Sequence, residues 1–415
     1  MNIGKYSFGI GDRFGQQGKS LLAAIIEASR VGVEVTPVWN KSQREHTIIG
    51  TTPAMVRAEA EEAVASMGWG GHYYVDADHI NLGNVDSFTK ASDFFTLDVS
   101  DFIGRPAEQE EIEAFVDGCQ RYANGVSIQG VGDEFVVGED LIRAMACKYL
   151  LAVKQAGKLY RHIVSKKGVG NFITELSMDE TDQAQSPVEL FFILAGVSRE
   201  EIHIQTIAPK FVGRFNKGVD YADDVERFAE EFERNLAVIA FAVEEFGLPK
   251  NLKLSVHSGS DKFSIYGPMN RALKKFGAGL HVKTAGTTWL EELAGLALAG
   301  GKYLEIANRI YAGAYSRMDE LTKPYAMVID IDRRKLPEPD VVAEWSSTKF
   351  DDALRHNTTC GRYNPHLRQL LHVAYKIAAE MGTEFTEAVA DCQRIIGPNV
   401  TENIFERHIK PIFID

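Results

Sequence analysis

The sequence predicts an α/β protein that folds as a closed (β/α)8 barrel of the TIM type. The main observation is that eight short strand-like runs alternate with helical runs along the chain. Alternation repeated this many times favours a closed barrel over an open sheet. The length of 415 residues suits one such barrel with additions. We therefore predict a single elaborated barrel domain over residues 1–415.

The predicted strands are short runs rich in apolar residues and bounded by turn residues. They lie at 6–10, 33–39, 73–76, 94–98, 170–177, 201–207, 252–256 and 280–283. The run 327–331 is an alternative ninth strand. In a barrel of this type the carboxyl ends of the strands form the face that carries the chemistry.

The predicted helices are recognised by their termini and by the spacing of their apolar residues. Pro53 and Pro187 stand at first helical positions, and Ser186 with Glu189 forms a capping box. Gly247 ends a long helix. Helices are predicted at 19–30, 220–246, 288–299, 364–381 and 384–396, with others opening at 53 and 187.

Two helical additions to the barrel are predicted. The stretch 108–157 is helical, is interrupted near 125–138, and is too long for an ordinary connection between strands. We therefore predict a helical insertion over 106–158. The chain ends in helices, which predicts a C-terminal helical elaboration over 364–415.

Composition narrows the partners and the compartment. A net charge of −13 argues against nucleic acid, because phosphate binding requires a basic surface. The four cysteines form no CxxC pair, which predicts free thiols in a reducing cytoplasm. The N-terminus lacks the apolar core of a signal peptide, and apolar runs such as 236–243 are too short to cross a membrane. We expect a cytoplasmic protein, with a homo-oligomer left open.

Two clusters of polar residues follow predicted strands and contain histidine. Asp76 and Asp78 lie two residues apart, on one side of an extended segment, with His79 beside them. His257 follows another strand, and Ser258 and Asp261 in its loop can bond sugar hydroxyls. Each cluster has a plainer interpretation: a solvated acidic turn for the first, and a core histidine before an ordinary turn for the second.

Two further clusters lie at the ends of other strands. His281 and Lys283 share one face of a strand, and a lysine pointing into a barrel mouth is costly unless it meets an anion. Glu175, Ser177 and Asp179 alternate along another strand and so share one of its faces, where an inward carboxyl group would suit a general acid. A structural His–Lys pair and a simple helix cap remain the alternatives.

Taken together, three histidines at three strand ends predict a catalytic metal site. Three protein ligands with an open position are the usual form of such a site. Imidazole ligands favour zinc as the divalent cation, with nickel, iron, cobalt and manganese left open.

These motifs resemble the tagaturonate/fructuronate epimerase family, a group of metal-dependent enzymes of hexuronate breakdown with a barrel fold. The resemblance runs from about residue 9 to the C-terminal helices. Its strings are GDRFG at 11–15, VDADHINL at 75–82, FITELSMDET at 172–181, APKFVGRFNKGVDY at 208–221, SVHSGSDKFSIY at 255–266 and HVKTAGTTWLE at 281–291. Some members of the family carry a longer segment ahead of GDRFG, which leaves the exact sugar open.

The resemblance implies a role for several residues. Asp78 is implied as the proton acceptor and Glu175 as the proton donor. His79 and His257 are implied as metal ligands, and His281 is our choice for the third. The substrate would be a small sugar acid, and the candidates to bind its carboxylate are Arg13, Lys210, Arg214 and Lys283.

The expected reaction inverts one hydroxyl-bearing carbon and interconverts D-tagaturonate and D-fructuronate or related ketohexoses. That carbon is β to the ketone, so simple enolisation cannot invert it, whereas a retro-aldol and aldol sequence can. A class II-type metal-dependent sugar aldolase is the alternative, because those enzymes have a similar arrangement of histidines. A sugar-binding barrel without catalysis is the third hypothesis.

Overall fold

Eight parallel strands close into a barrel, as the sequence predicts. The computed structural model describes residues 1–131, 137–284 and 286–415. Each strand pairs with the next along the chain, and the last pairs with the first. The strands are β1 (Tyr6–Ile10), β2 (Val35–Ser42), β3 (Tyr74–Ile80), β4 (Phe94–Asp98), β5 (Ile173–Ser177), β6 (Thr206–Ala208), β7 (Lys253–Val256) and β8 (Leu280–Thr284).

The α/β barrel class and all eight predicted strands are confirmed, with shifted ends. The third strand runs four residues beyond its predicted end and includes His79. The sixth is much shorter than predicted, because only Thr206–Ala208 pairs with its neighbours. The alternative ninth strand is not found, since the barrel closes with eight and a 3-10 turn, Lys323–Val328, occupies part of that run.

Helices surround the barrel and form a large C-terminal group. They are α1 (Gly18–Arg30), α2 (Gln43–Ile49), α3 (Pro53–Met67), α4 (Gln109–Cys119), α5 (Glu139–Lys167), α6 (Pro187–Arg199), α7 (Val225–Phe246), α8 (Phe263–Phe276), α9 (Thr287–Ala299), α10 (Gly301–Ser316), α11 (Met318–Thr322), α12 (Pro339–Ala343), α13 (Ser347–Leu354), α14 (Pro365–Val373), α15 (Tyr375–Glu380), α16 (Thr383–Asp391), α17 (Gln393–Ile404) and α18 (Lys410–Phe413). Across the described residues, every helix is too short or too polar to span a lipid bilayer.

The local helix signals are confirmed at several termini. Ser186 and Glu189 form the predicted capping box, with Pro187 in the first turn of α6. Gly247 ends α7 in the left-handed conformation. The predicted long helical stretch is divided into α4 and α5, although part of the predicted interruption, 132–136, lies outside the described residues. The division into a barrel, a 106–158 insertion and a 364–415 elaboration stays a prediction.

The interior of the barrel changes from apolar to polar along its axis. Towards the amino ends of the strands, a buried cluster of Ile3, Val38, Tyr74, Phe94 and Ile173 fills the space. Towards the carboxyl ends, the buried side chains are charged or hydrogen-bonding. Side chains in a barrel stack in layers, so residues two positions apart on one strand differ in depth. This layering decides which predicted residues reach the mouth.

Candidate active site

A cavity of about 300 Å³ opens at the carboxyl ends of the strands. A second cavity, of about 310 Å³, adjoins it under the 3-10 turn Lys323–Val328. The residues that line both are Arg44, Asp179, Glu180, Lys217, His257, Ser258 and Tyr325. A polar cavity in this position is the usual place for the active site of a barrel enzyme.

His79 reaches this cavity because β3 is irregular at its end. The pairing of β3 with β4 shifts register between Ala77 and Ile80, and His79 has a positive φ of 51°. A histidine in the left-handed region is strained, and such strain is common where a side chain must be aimed at a site. Its Nδ1 lies 3.2 Å from Asp98 Oδ2, which leaves Nε2 as the nitrogen on the other side of the ring.

His257 follows β7 and is held by two acidic residues. Its Nε2 lies 2.7 Å from Glu175 Oε1, and its Nδ1 lies 3.0 Å from Asp179 Oδ1. The contact with Asp179 lacks hydrogen-bond geometry, and among the described residues this buried Nδ1 has no hydrogen-bond partner. If only Nε2 carries a proton, Nδ1 offers a lone pair that a metal ion could bind beside the Asp179 carboxylate.

Donor atoms of His79, Asp179 and His257 lie within 4.8 Å of one another and form a group that can hold a metal ion. A second group shares His79 and adds Asp98 and Glu180. Two ligands of a tetrahedral zinc, each about 2.1 Å from the ion, are about 3.4 Å apart. The spacing of His257 Nδ1 and Asp179 Oδ1 is close to that value, so the donor set fits a divalent cation.

The electrostatics of the two histidines support the same conclusion. Burial alone would lower the pKa of His257, but Asp179 and Glu175 outweigh it and raise the pKa to about 9. For His79, burial is likewise outweighed, mainly by Asp78 and Asp98, and its pKa is raised well above the usual value. The surrounding carboxylates thus favour positive charge at this position, which a metal ion would supply.

Lys283 lies at the centre of a buried charge network beside these histidines. Its Nζ is 2.7 Å from Asp76, 2.8 Å from Asp78 and 2.8 Å from Glu175. Gly9 makes room for it, since a Cβ there would lie 3.1 Å from Lys283 Cγ. Burial opposes ionisation of Asp78, but Lys283 outweighs it and lowers the pKa of Asp78 to about 2.

Asp78 and Glu175 differ in their access to the cavity. Asp78 and Lys283 line it, whereas Glu175 is fully buried and is not among the lining residues. Glu175 also accepts a hydrogen bond from Thr206 Oγ1 at 2.8 Å. Of the side chains that Glu175 contacts in the described part of the chain, Lys283 and His257 are the two that line the cavity.

The structure does not bring His281 together with the other two predicted ligands. His281 is fully buried, its Nδ1 lies 2.8 Å from Ser7 Oγ, and its ring packs 5.3 Å from that of Phe94. Burial and then Lys283 keep its pKa low, at about 3, so the ring is neutral. The physical reason is depth, because His281 lies one layer below Lys283 on β8, at the level of the apolar cluster.

The predicted substrate-binding residues also divide into some that line a cavity and some that do not. Arg13, Ser258 and Lys283 line the first cavity, and Lys210 and Ser258 line the second. Arg214 lines neither, and its side chain is half exposed beside Asp330. Asp261 is fully buried and bound to Arg368, so it is not placed to bond a substrate hydroxyl as predicted.

Several residues at the cavity were not chosen from the sequence. Asp179 and Lys217 lie in the quoted strings FITELSMDET and APKFVGRFNKGVDY, so the motifs contained them. Asp98 is the last residue of a correctly predicted strand, and a carboxylate at a strand end could have been recognised as a candidate site residue. Arg44 and Tyr325 come from a helix and a turn far from any motif, and no local pattern distinguishes them.

A model of the tagaturonate epimerase family matches residues 1–389. A tagaturonate/fructuronate epimerase of Thermotoga maritima is 28% identical over 381 residues, which cover 89% of this chain and 72% of that protein. A glycerol-complexed crystal structure of the fructuronate-tagaturonate epimerase of Cohnella laeviribosi superposes with a TM-score of 0.80 at 22% identity, covering 98% of this chain and 81% of that one. The native crystal structure of that enzyme gives 0.77 at 23% identity with the same coverage, and both show the shared fold.

Proposed function

The chain belongs to the tagaturonate epimerase family, and from this we propose that it interconverts D-tagaturonate and D-fructuronate. The observation that carries the proposal is the pairing, at one cavity, of a metal-binding donor set with a base. His79, His257 and Asp179 supply the donors, and Asp78 stands beside them with Lys283. A metal-binding donor set with a neighbouring base can supply the Lewis acid and the proton acceptor that a retro-aldol inversion uses.

We propose that a divalent cation, with zinc as the first choice, is held by His79, His257 and Asp179. Asp98 would bind the other nitrogen of the His79 ring, and Glu175 that of His257, so that each ring is fixed in orientation. Bound there, the cation would supply Lewis-acid stabilisation of negative charge on a substrate oxygen. The set replaces our predicted third ligand, His281, by Asp179.

The inverted carbon lies β to the ketone, so its C–H bond is not acidic. In the proposed retro-aldol step, Asp78 accepts the hydroxyl proton, the neighbouring C–C bond breaks, and its electron pair moves towards the ketone as an enolate. An aldehyde is left on the other fragment. Rotation of that aldehyde and re-addition form the same C–C bond with the opposite configuration. The new alkoxide then takes a proton from Lys283, which receives in return the proton that Asp78 accepted, so that both groups are restored.

Lys283 gives the two proposed acid–base groups a common contact. It holds Asp78 in the ionised form that accepts a proton, and it binds Glu175 on its other side. Burial would raise the pKa of Glu175, but Lys283 and His257 outweigh it and hold that pKa well below its usual value, so the Glu175 carboxyl group is ionised. As the proposed proton donor it would act through the protonated groups that it contacts and that line the cavity, Lys283 and His257. The buried ammonium group also balances negative charge that develops on the substrate.

The direct test is incubation of the purified protein with D-tagaturonate, followed by NMR. We expect D-fructuronate to accumulate, treatment with a chelator to abolish turnover, and added divalent metal to restore it. Accumulation of three-carbon fragments would instead support the aldolase. Sugar binding that survives chelation, with no turnover to lose, would support a binding protein.

The mechanism is tested by running the reaction in deuterated water. A retro-aldol route leaves the hydrogen on the inverted carbon in place, so we expect no deuterium there. Incorporation at that carbon would contradict the retro-aldol step while leaving the epimerase assignment intact.

A further inference from the structure

Lys217 is a half-buried cation at the cavity, and among the described residues no carboxylate forms a salt bridge with it. It lies between β6 and α7, and its backbone N–H donates to Val328 O at 2.7 Å. Its Nζ donates to Ser258 Oγ at 2.9 Å. Within the described ranges it forms no ion pair with an acidic side chain, although it lines both cavities.

The other lysine and arginine side chains that line the first cavity are already engaged. Lys283 contacts three carboxyl groups, and Arg13 pairs with Glu45 while stacking 3.8 Å from the ring of Tyr375. Arg44 is exposed and lies over the ring of Tyr325. Glu180 and Asp179 attract Lys217 without forming a salt bridge with it, and burial outweighs their effect on its pKa. An ammonium group removed from water without a paired counter-ion is costly, so the surroundings of Lys217 suit an anionic ligand.

Ser258 connects Lys217 to the metal-binding set. It directly follows His257 in the chain and has a positive φ of 52°, a strained conformation that turns the loop at this point. Burial lowers the pKa of Lys217, and a bound anion would raise it again. Because Ser258 is next to His257 and all four side chains line the same cavity, a ligand held by Lys217 and Ser258 would reach the donor atoms of His257 and Asp179.

We infer that Lys217 and Ser258 bind the carboxylate of the keto-hexuronate substrate, an inference that rests on the proposed function. Lys217 thereby replaces Arg214 and Lys283 among the candidates named from the sequence. In the retro-aldol step the carboxylate stays on the aldehyde fragment, so this contact also holds that fragment until the bond re-forms. The same contact distinguishes a uronate from a neutral ketohexose.

The inference is tested with K217M, with K217R, which keeps the charge, and with K323M as the control, because Lys323 is an exposed lysine at the rim of the second cavity. Binding of D-tagaturonate is measured by calorimetry, and turnover is measured with D-tagaturonate and with neutral D-tagatose. For K217M we expect tagaturonate binding and kcat/KM to fall about tenfold to a hundredfold, with tagatose turnover unchanged. K217R should lose less, and K323M should behave as the unmodified protein.

The outcomes separate the two proposals. If K217M binds tagaturonate as tightly as the unmodified protein, or if K323M loses as much as K217M, the carboxylate assignment is overturned. If tagaturonate binds in a Lys217-dependent way but no fructuronate forms, the proposed function fails and the carboxylate site stands. Should K217M not fold, as judged by circular dichroism, S258G removes the hydroxyl partner and K217R reports on the charge.

Discussion

Two buried charge networks lie in the same barrel, one around Lys283 and one around Asp261, and they differ in what they face. Asp78 and Lys283 of the first network line the cavity at the mouth. In the second, Arg368 donates to Asp261 at 3.0 Å and to Leu354 O at 2.8 Å, and both side chains are almost completely buried. Neither lines a mouth cavity.

The comparison teaches that buried charge alone does not identify a catalytic residue. Asp261 N–H donates to His408 Nε2 at 3.0 Å, so the second network joins the loop after β7 to the C-terminal helices. Its groups bind one another and the backbone, which is a structural role. In the first network, Asp78 contacts both a buried cation and open space, which is what proton transfer to a ligand requires.

The largest effect is expected at the first network. Asp78→Asn keeps the shape of the side chain and removes the group that accepts a proton, so we expect kcat to fall about 10²–10⁴-fold with the fold intact. The matched control is Asp76→Asn, because Asp76 binds the same ammonium group but does not line the cavity. Steady-state measurement of kcat for the two variants shows whether the loss is specific to Asp78.

Asp76 should tolerate the change for a further reason. Burial, together with Asp78 and Glu175, raises the pKa of Asp76 above its usual range. Asp76 is therefore more easily protonated than Asp78, and replacing it removes less negative charge. An equal loss of kcat in the two variants would contradict a specific role for Asp78 and would indicate that the whole network acts as one unit.

At the second network we expect a loss of stability without a specific loss of chemistry. Arg368→Met leaves Asp261 buried without its main cation, and breaking one side of a buried pair costs about 3–5 kcal/mol. Arg309→Met, which breaks a half-exposed pair with Glu384, is the control and should be nearly neutral. Urea unfolding measures the difference, and kcat of the folded R368M protein should be unchanged.

An unfolding midpoint of R368M equal to that of R309M would contradict the structural role of Asp261. A folded R368M protein with a strongly reduced kcat would do so as well, since it would connect this network to the reaction.

The sequence located the strands and the two histidines that meet at the mouth, because strand ends in a barrel converge on one face. The sequence could not show how far along the barrel axis each inward side chain would lie. His281 and Lys283 share a face at a spacing of two, yet only Lys283 lines the cavity. It also could not fix loop direction: Ser258 and Asp261 lie in one motif, and positive φ angles at both turn Ser258 towards the cavity and Asp261 towards Arg368.

Site residues on long connections between strands and helices could not be identified from the sequence for a related reason. Lys217 reaches the site from a segment whose course is set by its contact with Val328, more than a hundred positions later. Asp179 was visible as the last of three alternating polar residues, but the sequence did not say that it, rather than His281, would approach His257. Tertiary packing decides such distances, and no local pattern encodes them.

The smallest effect is expected at His281, and it tests that point directly. Asparagine imitates the Nδ1 side of an imidazole, so His281→Asn should keep a hydrogen bond with Ser7 and leave the bound metal and kcat within a few-fold of the unmodified protein. His257→Gln is the control and should lose the metal, because glutamine imitates the Nε2 side of the ring, which contacts Glu175, and removes the proposed Nδ1 donor. Metal content by mass spectrometry after dialysis distinguishes them. Equal metal loss in both variants would restore His281 as the third ligand and would require β8 to present it to the mouth, one layer higher than the structure places it.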